Sequence, residues 1–262
     1  MRRVSVKYAR AGMVLSAPVY TNYGAKLLDA HTILNEAGVK ALNTHGIREI
    51  LLDDWRVADV PVAPLFSPEV EGRAALALRQ LMGESQRKDG IVDRYLDQAV
   101  IAINALAREL VVETVGEPSV AGIVSLGDYV VCDVDAGSYV SLLMGKRLGY
   151  GLPRLANLGL AALVKDIGYI WMPSELMHKS GSLTEQEIQK IREHPMIGYK
   201  LLSQHHACDN EVANAVLEHH ERSNGTGYPQ GLIGSNISTF AQIIAITDTY
   251  CAMLSKRPVR KA

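Results

Sequence analysis

Val212-Ala213-Asn214-Ala215-Val216-Leu217-Glu218-His219-His220 is the stretch from which the fold is read. Ala213, Val216, Leu217 and His220 recur at three- and four-residue spacing, and so do Val212, Ala215, Val216 and His219. Residues so spaced share a helix face, so both histidines continue an apolar stripe and point into a helical bundle. Asp248 extends the stripe Phe240, Ile244 in the same way, with Ala241, Ala245 and Cys251 beside it, and Asp166 follows Gly159, Ala162 and Leu163. A buried carboxylate costs several kcal/mol unless something positive compensates it.

Asp166, His194, the pair His219-His220 and Asp248 are separated by intervals of about one helix-turn-helix, which brings each of these four in on a different helix. Metal sites in helical bundles are built from inward side chains on facing helices. Any one of these residues, taken alone, reads as a paired acid or a satisfied core histidine. Five together read as a metal site. The histidines His31, His45, His178, His205 and His206 are assigned to helix ends or satisfied structural roles.

Working outward, the chain is helical from Val70 onward. Val70 to Met82, Ile91 to Glu113, Gly127 to Leu148 and Leu155 to Ile167 carry helical periodicity. Thr184-Glu185-Gln186-Glu187 is a capping box. Pro195 opens a helix running to His205 or His206, Asp209 or Asn210 one ending at His220, and Ser238 or Thr239 one reaching Leu254. The first sixty residues differ. Met13 to Leu15, Pro18 to Tyr20, Lys26 to Leu28 and Ile47 to Leu52 are short β-type runs, and Asn35-Glu36-Ala37 opens a helix that Gly46 closes. The fold expected is mainly α: a helical bundle over 125–262, a helical connector over 67–124, and a small α+β module over 1–66, with the proline-rich stretch Asp59 to Pro68 as boundary.

Composition narrows the function. The 262 residues hold 27 Lys and Arg against 28 Asp and Glu, so a broadly basic DNA or RNA binder is not expected. Aromatics at 6% argue against base-stacking platforms. Cys132, Cys208 and Cys251 are too scattered for a disulfide framework, which fits a reducing compartment. The start lacks a signal-peptide core, and Leu155 to Val164 is half the ~20 residues of a membrane span. A cytoplasmic protein is expected. Asn224-Gly225-Thr226-Gly227-Tyr228-Pro229-Gln230-Gly231 follows directly on His219-His220-Glu221, and its glycines let backbone N–H groups approach an anion. Arg257, Arg260 and Lys261 form a basic cluster that suits phosphate oxygens or a solvated tail equally well.

These residues resemble the signature of HD-GYP domains, a bacterial subclass of the HD phosphohydrolases. The resemblance runs through His219-His220-Glu221-Arg222, Gly225-Thr226-Gly227-Tyr228-Pro229-Gln230-Gly231-Leu232 and Ala245-Ile246-Thr247-Asp248-Thr249-Tyr250. Asp166-Ile167-Gly168, Lys179 to Thr184, Glu193 to Gly198 and Ser255 to Ala262 fit the same pattern. Ala11 to Leu15 resembles small domains found ahead of such domains. The resemblance implies an all-helical domain that binds two or three iron, manganese or similar ions and hydrolyses cyclic di-GMP to pGpG or GMP. Family members continue into further helices past the position of Ala262, so a truncated chain is expected.

The resemblance places the metal ligands on Asp133, Lys165, Asp166, His194, His219, His220 and Asp248. Two positions depart from it, since the family has histidine at both Asp133 and Lys165. The family lysine after the HD pair is Tyr169, and its loop aspartate is Asn224. One metal position thus stays complete as Asp166, His194, His219 and His220, while the other keeps Asp166 and Asp248. A single divalent ion is expected, with a second in doubt, and Lys165 or Asp133 as substitutes at the lost positions. Asp166 and Asp248 are the catalytic candidates. Gly225, Gly227, Tyr228, Arg257 and Arg260 are the candidates for binding a cyclic dinucleotide. Two-metal hydrolysis uses both ions, so weak or absent turnover is expected. A receptor that binds without turnover and a module that recruits a signalling protein through the loop are the alternatives.

Overall fold

The computed structural model describes residues 2–21, 26–47, 49–54, 56, 66–84, 92–112, 129–177, 179 and 181–254. The N-terminal part contains β1 (Arg2–Ser5), β2 (Val19–Tyr20), β3 (Lys26–Leu28), α1 (Glu36–Thr44) and β4 (Glu49–Leu52). β1 pairs antiparallel with β4, setting Val4 opposite Ile50, and β2 pairs antiparallel with β3. β1 is not legible in the sequence, because Arg2-Arg3-Val4-Ser5 offers one apolar residue and no alternation. Val14 and Leu15 contribute isolated bridges to Ile33 and Leu52 in place of a strand. Asn35 caps α1 by accepting from the Gly38 N–H at 2.7 Å, and Gly46 takes φ 68 beyond its end. Val6, Leu15, Leu34, Leu42, Ile50 and Leu52 form the core of this part.

The second core runs from Phe66 to Cys251. It is built by α2 (Pro68–Glu84), α3 (Val92–Val112), α4 (Tyr129–Arg147), α5 (Leu152–Val164), α6 (Ser174–Met177), α7 (Glu185–Ile191), α8 (His194–Leu202), α9 (Asn210–Glu218) and α10 (Thr239–Leu254). α5 is its axis. Every residue from Leu158 to Val164 is buried, as an all-round apolar helix requires, and α3, α4, α9 and α10 pack around it. Two polar contacts tie the outer helices: Glu109 accepts from the Ser67 N–H at 2.8 Å, and Lys146 donates to the Leu110 carbonyl at 2.6 Å.

Several helix ends differ from the sequence reading. Periodicity carries α5 on to Ile167, but the helix stops at Val164 and a 3-10 turn follows over Ile167–Trp171. Asp166 therefore lies in the turn, at φ −97 and ψ 10. α8 stops at Leu202, leaving His205 and His206 in the following turn, and α9 stops at Glu218 with His219 as its C-cap. The Thr184 capping box is formed in both directions.

Gly168 fixes how the Asp166 turn meets α8. A Cβ there would lie 2.0 Å from the His194 carbonyl oxygen and 3.0 Å from the Gly198 nitrogen. Both neighbours are backbone, which cannot rotate away. Gly168→Ala is therefore expected to cost about 1–3 kcal/mol or more in urea unfolding and to lower metal uptake by separating Asp166 from His194.

Candidate metal centre

Four donor groups converge where the turn after α5, the start of α8 and the end of α9 meet. One ligand atom each from Asp166, His194, His219 and His220 lies within 4.8 Å of the others. His194 and His219 are fully enclosed, and Asp166 is largely so. His194 Nε2 stands 3.5 Å and His219 Nε2 3.7 Å from Asp166 Oδ1.

Ring orientation shows what the set can bind. His194 Nδ1 donates to the Ile191 carbonyl at 2.8 Å, and His219 Nδ1 donates to the Val216 carbonyl at 2.7 Å. With Nδ1 so engaged, each ring turns Nε2 inward, where it offers a lone pair to a metal, and these two nitrogens face each other at 3.3 Å. Two facing lone pairs have no proton to share, and a cation between them resolves the arrangement. Backbone carbonyls that orient imidazoles in this way are typical of metal sites. The donor set of three imidazoles and one carboxylate fits a divalent transition metal.

Charge separates the centre into two halves. Burial alone would raise the Asp166 carboxyl, but the Lys165 ammonium holds it well below the usual carboxylate range. Lys165 is itself buried, donates to Asp166 Oδ2, and lies 3.0 Å from Asp248 Oδ1. Burial would lower its pKa, yet Asp166 and then Asp248 raise it, so the amine stays charged. Asp166 thus turns one oxygen to the histidines and the other to an ammonium. Burial pushes His194 down to about 4, with His219 as a further cause, and His220 down to about 2, with His219 and His194 as further causes.

Aromatic rings wall the site. Tyr169 stacks on His194 at 4.2 Å and Tyr228 on His220 at 4.7 Å, and the Arg192 guanidinium lies 5.3 Å from the centre of the Tyr228 ring. One buried side chain gathers the far end of the loop that carries Tyr228. The Glu221 carboxylate, 2% exposed, accepts from the N–H groups of Gln230 at 2.7 Å, Gly231 at 3.1 Å and Leu232 at 3.0 Å. Gly227 permits the close fold-back, since a Cβ there would lie 2.4 Å from the Glu221 Cα. Gly225 takes φ 78, and Asn224 accepts from the Thr226 N–H at 3.1 Å.

The residues singled out from the sequence fall into three groups. Asp166, His194, His219, His220, Lys165 and Asp248 meet in one place, and Gly225, Gly227 and Tyr228 lie in the loop beside it. Asp133 lies on α4 with its side chain outside the described residues, and Arg257 and Arg260 are outside them altogether. The parts played by Glu221 and Arg192 escape sequence reading. For Glu221 a signal existed, an acid abutting a run of glycine N–H groups; Arg192 had none.

Comparison with known proteins agrees with this geometry. Residues 135–262 match the HD domain family. A cyclic di-GMP phosphodiesterase of Pseudomonas aeruginosa is 27% identical over the whole chain, which spans 69% of that relative. RpfG, a cyclic di-GMP phosphodiesterase response regulator of Xanthomonas campestris, is 39% identical over 48% of this chain and 33% of its own length. A 3'3'-cGAMP-specific phosphodiesterase of Vibrio cholerae is 37% identical over 45% of this chain and 27% of its own. An HDG"Y"P protein from Bdellovibrio bacteriovorus shares the fold, with a TM-score of 0.56 at 14% identity over 99% of this chain and 90% of that one. The histidine–aspartate cluster lies within the stretch, 128 of the 262 residues, that matches the HD domain. Over that stretch the chain is similar in sequence to cyclic di-GMP phosphodiesterases and in fold to the HDG"Y"P protein.

Two outcomes are expected of this geometry. Glu221→Gln exchanges an acceptor for an amide N–H that faces other donors. It should cost about 1–3 kcal/mol and speed hydrogen exchange at Gln230, Gly231 and Leu232. The second concerns pH in the presence of chelator. His194 and His220 stay neutral in the fold where the unfolded chain, with histidines near 6.5, takes up protons. Their contribution is complete above about pH 6.5 and is lost as the pH falls toward about 4 for His194 and about 2 for His220. Urea unfolding should lose up to about 1.4 kcal/mol per pH unit per ring. A flat profile between about pH 6.5 and about pH 4.5 contradicts this.

Proposed function

We propose that this chain is a metal-dependent phosphohydrolase-type protein of the cyclic di-GMP phosphodiesterase class whose centre holds one ion and turns substrate over poorly. Asp166, His194, His219 and His220 hold that ion, taken to be iron or manganese as in the family the sequence resembles. When bound, such an ion polarises a phosphoryl oxygen and makes water a stronger nucleophile. Asp166 and Asp248 are the carboxylates that orient this chemistry. The observation that carries the reading is Lys165, whose ammonium sits between Asp166 and Asp248 where a second cation would otherwise be needed. Lys165 supplies fixed positive charge there but presents no lone pair and no open coordination position, so it neutralises the carboxylates without activating water.

The relatives' names support a cyclic dinucleotide as ligand. The walls of the site suit one: Tyr228 offers a ring edge and Arg192 adds charge at the rim, while Gly225 and Gly227 shape the loop, the faces a Cβ would occupy being filled by Ile233 and by Glu221 and Arg222. Arg257 and Arg260 are further candidates for phosphate contact. The same ammonium also favours a second reading, a receptor that binds the dinucleotide without cleaving it. No described helix is long and apolar enough to cross a membrane, which agrees with the cytoplasmic location proposed here. The division into a module over 1–66, a connector over 67–124 and the HD-GYP domain over 125–262 belongs to the same proposal.

The test is metal content and turnover on the same preparation. Wild type is expected to carry one iron or manganese ion per chain, counted apart from zinc, and to hydrolyse cyclic di-GMP slowly or not at all, while Lys165→His gains metal and turnover. Tyr228→Ala should weaken dinucleotide binding by about 1–3 kcal/mol with metal content unchanged. Two iron or manganese ions per wild-type chain with robust turnover would overturn the reading.

A further inference from the structure

A second group of histidines and acids lies away from the Asp166 centre, where α3 meets the turn between α8 and α9. We infer that Asp97, His205 and His206, with Asp93 beside them, form a separate divalent-cation site of the zinc class. It does not rest on the phosphodiesterase reading.

Burial and partnership carry the inference. The His205 side chain is 2% exposed, yet its Nε2 has no hydrogen-bond partner. That nitrogen faces Asp93 Oδ1 at 3.7 Å and Asp97 Oδ1 at 3.9 Å, both beyond hydrogen-bond reach. His206 Nε2 stands 3.6 Å from the same Asp97 oxygen, and the two imidazoles stack at 4.6 Å. One donor atom each from Asp97, His205 and His206 lies within 4.8 Å of the others. Ligands about 2.0–2.2 Å from a tetrahedral zinc stand roughly 3.3–3.6 Å apart. The observed separations are a few tenths of an ångström wider than such an edge, while a direct hydrogen bond would have to close by more. Two imidazoles and the Asp97 carboxylate, with Asp93 close to His205, are donor types that zinc takes.

One contact opposes loading and sets its proton balance. The Ala207 N–H donates to His205 Nδ1 at 3.2 Å, so the neutral ring carries its proton on Nε2. On binding, that proton leaves to water and Nδ1 takes one up from water, while the half-buried Ala207 amide turns to solvent. The ring remains neutral and no net proton is released. Position gives the site a structural use: the turn holding His205 and His206 joins α8, which begins at His194, to α9, which His219 caps. An ion there clips the frame of the first centre to α3.

The experiment uses the full chain, stripped with chelator and titrated with Zn²⁺ alone, following stoichiometry by calorimetry and Tm by scanning. His206→Ala, at an exposed side chain, and Asp97→Asn, a near-isosteric change, are the variants. Each is expected to bind one zinc fewer than wild type. Each should also lose a Tm rise of roughly 5 °C seen in wild type at a hundredfold excess over Kd. Because the lost equivalent is counted by difference, the result is the same whether or not the Asp166 centre takes zinc. Unchanged stoichiometry and an unchanged Tm response in both variants overturn the site.

Discussion

The structure depends on how one carboxylate is shared. Asp166 lies in a turn rather than on a helix, with Oδ1 toward His194 and His219 and Oδ2 toward Lys165. Without positive charge beside it, Asp166 would be driven toward protonation in this enclosed space. The chain answers on one side with an ammonium that is part of the sequence. On the other side it presents imidazole lone pairs, which acquire positive charge only by taking up a cation.

The rest of the bundle is arranged to keep that division. The last two turns of α5, Leu158 to Val164, are apolar on all sides, so they sit at the axis and deliver Lys165 and Asp166 into the interior. Gly168 lets the following turn press against the backbone of His194 and Gly198. Ile191 and Val216 carbonyls hold the rings of His194 and His219 in one tautomer. Glu221, next to His220, gathers three backbone N–H groups and so holds Tyr228 against the same ring. Each device acts on the backbone, which is why small substitutions at Gly168 or Glu221 reach the centre.

Much of this arrangement is legible in the amino-acid sequence. Helical spacing places His219, His220 and Asp248 inward, and Asn35 and Thr184 mark their helix starts correctly. Periodicity fails where a helix ends in a buried place. Ile167 continues the apolar pattern of α5 although the backbone has already turned, because burial, not helix, sets the pattern there. β1 escapes notice because its partner β4 is distant in sequence and supplies the reason for its extension. His205 reads as a structural cap from sequence alone, and only its burial beside two acids from α3 shows that Nε2 is left without a partner.

The central claim is that Lys165 occupies the place of a second cation. Anomalous diffraction from crystals of the full chain grown with excess manganese addresses it directly. One peak among Asp166, His194, His219 and His220, with the Lys165 amine still between Asp166 and Asp248, is the predicted result. Two peaks bridged by Asp166, with Lys165 displaced from between the carboxylates, would contradict it.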